Sequence, residues 1–75
     1  LTGVQRTTPG FSKEDEVWVW KEVDAEFVKA TVVDSKFFGS DWRYHLKDAD
    51  GLTLWREKET WIEEALLTLI NRARA

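Results

Sequence analysis

Chemistry that needs a nucleophile, a metal or a redox centre has little to work with in this chain. Its only histidine, His45, stands between Arg43 and Lys47 in an alternating stretch, and there is no cysteine. Zinc requires three or four ligands of suitable type. One imidazole and no thiolate leave only carboxylates, so no metal site is expected and His45 reads as a solvated strand residue. No Ser-His-Asp ordering rises above chance. The expectation is a non-catalytic protein with no cofactor. What the chain does carry is rings: five Trp, four Phe and one Tyr, 13% of the residues. Each can bury roughly 150–250 Å², so they serve either as a ligand groove or as the core of a small domain, and their spacing leaves both open. Trp18, Trp20, Trp42, Tyr44, Trp55 and Trp61 are too many to hide together in so short a chain, so an aromatic patch at the surface is expected. Asp48 and Asp50 flank a turn, where they either shape the turn or hold a cationic ligand near Tyr44.

The bulk numbers bound what can position these groups. Seventy-five residues make one domain at most, and a chain this short buries only about 60% of its unfolded surface. With no disulfide to help, the aromatic residues must supply the missing burial. The net charge is −3, from 11 basic and 14 acidic side chains mixed along the chain. That balance speaks against nucleic acid as a partner, because affinity for nucleic acid scales with the phosphates neutralised. Lys29, Arg43, Lys47 and Lys58 form at most a strip interleaved with acids, which reads as a solvated face. No stretch has the ~20 apolar residues of a membrane span, and no signal-peptide order opens the chain. A soluble domain with no membrane partner is expected. Leu1 rather than methionine stands first, as in a piece of a longer protein or a processed start, and the compartment cannot be read from it.

Residues 1–10 combine Thr, Gly, Gln and the only proline without apolar period, the pattern of a flexible N-terminal arm. The domain then spans 11–75. In 16–21 (EVWVWK) alternation puts Val17 and Val19 on one face and Trp18 and Trp20 on the other. A second strand is expected over 27–35, with Val28, Ala30 and Val32 inward. Gly39 supplies the turn after it. A third strand over 41–48 sets Trp42, Tyr44 and Leu46 against Arg43, His45 and Lys47. Asp50-Gly51 is the strongest turn signal, and 52–57 is expected to return as a fourth strand. From Thr60 the period changes: Ile62, Leu66, Leu69, Ile70 and Ala73 fall at three-and-four spacing, and Glu63 follows Thr60 in a capping-box arrangement. Acids open this segment, and Arg72 and Arg74 close it, as the helix dipole favours. A C-terminal α-helix is therefore expected at about 60–73, covering an open end of a curled antiparallel sheet. Leu67 lies off its apolar stripe, either as a tolerated exposed leucine or as a contact for a partner or a second copy.

Glu16-Val17-Trp18-Val19, Lys29-Ala30-Thr31-Val32-Val33, Tyr44-His45-Leu46 and Glu59-Thr60-Trp61-Ile62 together resemble the Tudor, chromo-barrel and PWWP group of SH3-like barrels. The resemblance spans roughly 16–67. It implies a mainly β domain, a small antiparallel barrel of four to five strands. It also implies recognition of methylated lysine or arginine through an aromatic cage, in which ring quadrupoles attract a desolvated cation, on chromatin-associated proteins in the nucleus. On that resemblance the ligand-binding rim is Trp20, Tyr44 and Trp61, with Phe38 and Asp48 beside them, and the partner is a protein or peptide such as a modified histone-type tail. The alternative is an assembly domain that packs on a neighbouring domain or self-associates, with Leu67 in its contact surface.

Overall fold

The computed structural model describes residues 8–56 and 58–73. The first seven residues of the expected arm lie outside the described residues, as does Arg74. Five strands form one antiparallel sheet: β1 (Glu16–Lys21), β2 (Glu26–Phe37), β3 (Trp42–Lys47), β4 (Trp61–Glu63) and β5 (Leu67–Asn71), in the order β4-β3-β2-β1-β5. Alternation delivers what it predicts in the first three. Val17, Val19, Ala30, Val32, Tyr44 and Leu46 are buried, and Ile62, Leu54 and Leu67 complete the core. β2 pairs with β1 over 26–31 and with β3 over 31–37, and a bulge between Val32 and Asp34 interrupts the ladder with β3. The extra residue bends the strand, so one strand serves two partners. Gly39 takes φ 90° in the β2–β3 turn and Gly51 takes φ 80° after β3, conformations that favour glycine.

Three expectations are corrected. Among the described residues no α-helix forms at 60–73. The segment is β4, a single 3₁₀ turn at Glu64–Leu66, and β5. Local helix preference loses here because β1 needs a second partner. Val17 stands opposite Leu69 and Val19 opposite Leu67, so the ladder satisfies the free backbone edge of β1 while the same residues deliver leucines to the core. Helix geometry survives only in Glu-Ala-Leu, the stretch with the best propensity. The fourth strand at 52–57 is absent as well. Single bridges join Lys47 to Thr53 and Arg56 to Glu59, and Leu54 enters the core by donating its N–H to Leu46 O at 2.8 Å. Nor is the sheet closed into a barrel, because β4 and β5 are its opposite edges and no ladder joins them among the described residues.

Two polar joints tie the chain ends to this sheet. The Tyr44 hydroxyl is buried; it donates to Glu64 Oε1 at 2.5 Å and accepts the N–H groups of Gly10 at 2.9 Å and Phe11 at 3.3 Å. Phe11 meets the Tyr44 ring edge-on at 5.3 Å. The Asp15 carboxylate, 2% exposed, accepts from Ser12 N–H at 2.8 Å and Ala73 N–H at 2.7 Å and lies 3.6 Å from Arg72. At the surface, the Asn71 amide and then Lys29 hold the Glu16 carboxyl below the usual carboxylate range.

Tyr44→Phe removes all three hydroxyl bonds, leaving the Gly10 N–H only its 3.2 Å bond to Glu64 Oε1 and taking from the Phe11 N–H the hydroxyl it donates to. It is expected to lower the unfolding free energy by about 1–3 kcal/mol in urea titration and to speed hydrogen exchange at Gly10 and Phe11. Because the folded value of Glu16 is depressed, its contribution is present at neutral pH and is lost as pH falls through that value. Carbon-13 NMR titration is expected to show a low Glu16 midpoint that rises in Asn71→Ala. An unmoved midpoint would contradict the assigned cause.

Candidate functional site

The rings divide into separate groups because strand alternation assigns them to faces and loops. Trp20, Tyr44 and Trp61 do not converge. Tyr44 is fully buried and points into the core with its neighbour Ile62, so it is no part of a rim. Trp61 stands on the other face of the sheet from Tyr44, its ring centroid 6.0 Å from Phe38 and 5.8 Å from His45. Trp20 is half-buried on β1, three strands away in the sheet order, and packs on Phe27 at 5.0 Å. No three-ring cage arises from this set.

The remaining sequence candidates are equally well accounted for by their neighbours. Arg43 lies over the Phe38 ring at 4.6 Å from the centroid and Lys36 at 5.5 Å. With two cations already at this ring, an incoming cationic side chain is repelled rather than attracted. Asp48 Oδ1 accepts the N–H groups of Asp50 and Leu52 at 2.9 and 3.0 Å, so its carboxylate builds the turn. Leu67, expected to be an exposed helix contact, is a β5 core residue opposite Val19. His45 is half-buried beside Thr53, Nε2 to Oγ1 3.4 Å. Among the described residues no group of three His, Cys, Asp or Glu side chains is placed to hold a metal, and no helix is long and apolar enough to cross a membrane.

Besides Phe37 and Phe38 at the end of β2, exposed aromatic surface lies along the β1–β2 hairpin and the segment that follows β3. On the outer face, Trp18 and Phe27 are 41% and 55% exposed and border a shallow, nearly wholly apolar depression with Thr68. At the hairpin tip the chain reverses through residues 22–25, where Ala25 adopts φ 48° and its N–H meets Glu22 O at 3.2 Å. That turn leaves Val23 exposed to water. Opposite it Trp55 is 57% exposed, and Lys21, Glu22, Val23, Asp24, Trp55 and Arg56 enclose an open pocket of about 220 Å³, room for one long side chain. Its charges are mutually compensated: Arg56 Nη2 lies 3.0 Å from Glu22 Oε1, and Lys21 Nζ lies 3.8 Å from Asp24 Oδ2. Such exposed pairs are worth little, so a ligand can exchange them for its own at small cost. An indole, an aliphatic wall and two surface-paired carboxylates can bind a side chain; they include no group set for covalent chemistry.

Sequence reasoning named Trp55 among the surplus rings but assigned it to a strand. For Val23 the one signal in the sequence is a lone aliphatic residue in a short acidic stretch. Comparison with family models, curated proteins and solved structures returned no match to this chain.

Trp55→Ala is expected to shift the unfolding free energy by only about 0.5 kcal/mol, as for other surface changes, whereas Leu46→Ala lowers it by about 2–5 kcal/mol. Equal losses in chemical denaturation would mean that Trp55 is structural.

Proposed function

We infer that this chain is a non-catalytic recognition module of the SH3-like kind, which docks a peptide side chain in the pocket between the β1–β2 turn and Trp55. The carrying observation is that Trp55 and Val23 face an open pocket whose rim charges pair only at the surface. Apolar exposure of this kind, rimmed by polar groups, marks contact sites. An order of five antiparallel strands in which a long, bulged β2 serves both neighbours supports the SH3-like reading. The resemblance to the Tudor, chromo-barrel and PWWP group adds the ligand class: a lysine-bearing tail of the histone type, met in the nucleus. The chemistry agrees with that class, since Trp55 offers a π face to a methylated ammonium and Glu22 and Asp24 offer charge beside it. Only one ring walls this pocket, so discrimination between methylated and unmethylated lysine is modest.

Nitrogen-15 NMR titration with unmodified and trimethyl-lysine histone-type peptides tests this. The Trp55 indole N–H and the backbone of residues 21–24 are expected to shift, and Trp55→Ala to abolish the response. Unmoved indole signals with peptide at about 1 mM, the weak end of specific binding, would refute the docking pocket.

A further inference from the structure

One edge of the sheet has the chemistry of a joining surface. Among the described residues, the backbone hydrogen bonds of β5 run to β1 and, through the Leu67 N–H, to Glu64 O of the preceding turn. Its far side pairs with nothing there. Exposed edges are usually guarded by lysine, proline or an inward charge, but β5 reads Leu-Thr-Leu-Ile-Asn, without charge or proline. Its one irregularity, the residue Ile70 skipped in the ladder with β1, lies past Thr68 toward the Asn71 end. By contrast, β4 at the opposite edge has three residues and ends in Glu63.

We propose that this edge pairs with the same edge of a second copy of the chain, antiparallel and two-fold symmetric about Thr68. Charge selects this occupant. Glu63, exposed, precedes the strand, and Arg72, largely exposed beside Asp15, follows it, so a two-fold axis at Thr68 brings Glu63 of each copy toward Arg72 of the other. A parallel arrangement would oppose like charges. The axis also brings the two exposed Thr68 side chains together on the face that carries Trp18. The two apolar depressions of Trp18, Phe27 and Thr68 thereby merge into one surface crossing the joint. A two-fold interface of this kind closes on itself and stops at the dimer.

The joint is small. A standard interface takes about 800 Å² from each partner, a large share of the 5513 Å² surface of this chain and more than one short strand supplies. The dimer is therefore weak, with a dissociation constant on the order of 100 µM. It is independent of the peptide pocket, which lies on the hairpin tip, so Trp55→Ala leaves it unchanged.

Sedimentation equilibrium at chain concentrations up to about 1 mM, ten times that constant, is the test. The unmodified chain is expected to dimerise, and Thr68→Lys, which sets two ammonium groups face to face, to weaken the dimer about tenfold. Glu63→Lys is expected to weaken it as well, and added salt to weaken it further. Both side chains are exposed, and an unchanged NMR fingerprint verifies that the variants fold. A chain that stays monomeric throughout, or a dimer that Thr68→Lys leaves intact, overturns the proposal.

Discussion

The backbone of β1 is the constraint from which the remaining structure follows. Val17 and Val19 are buried, so the strand that carries them has both rows of N–H and C=O groups close to the core, and an unpaired group there costs about as much as a lost hydrogen bond. β2 satisfies one row by a tight hairpin. The other row must be met from far away in sequence, and β5 meets it across roughly fifty residues, bringing Leu67 and Leu69 inward opposite the two valines. Once β5 is committed to that ladder, the 3₁₀ turn before it places Glu64 over Tyr44, and the residues after it place Ala73 and Arg72 at Asp15.

Those two polar joints explain why Tyr44 belongs to the interior. A buried phenol is tolerable when its hydroxyl is paired, and here it receives two N–H groups from the chain before β1 while donating to a carboxylate. The aromatic surplus is consequently shared out. Tyr44 and Phe11 work in the core, Trp61 and Phe38 lean on each other under two cations, and Trp18, Phe27 and Trp55 are left facing water. The exposed rings are thus what the packing leaves over, located where neither the sheet nor the chain's own charges cover them.

The candidate site was only partly legible. Surplus rings implied exposed aromatic surface, and such surface exists, but the rings carried over from the family resemblance do not sit together. Trp20, Tyr44 and Trp61 were grouped by their place in matching motifs, yet alternation sends Tyr44 inward and Trp61 outward on adjoining strands, while Trp20 lies across the sheet. Trp55 became available because 52–56 does not join the ladder as a strand; apart from Thr53 and Leu54 at β3, it runs toward the hairpin tip. Asp48 reads both as ligand and as turn former, and the two backbone N–H groups held by its carboxylate decide for the turn.

By itself the sequence determined the first three strands, their buried faces and their turns, because a period of two and a glycine at positive φ are local properties of the chain. The expectation that aromatic burial builds the core does not hold: of the nine core residues all but Tyr44 are aliphatic, and among the described residues no Trp or Phe is fully buried. Tertiary structure alone decided the fate of 60–73. Leu69 lies on the three-and-four stripe and also falls, with Leu67, on the two-residue spacing of a strand, and a segment compatible with both periods takes the form its neighbours require. What chose between them was the open edge of β1, an energetic demand that no window of local sequence contains.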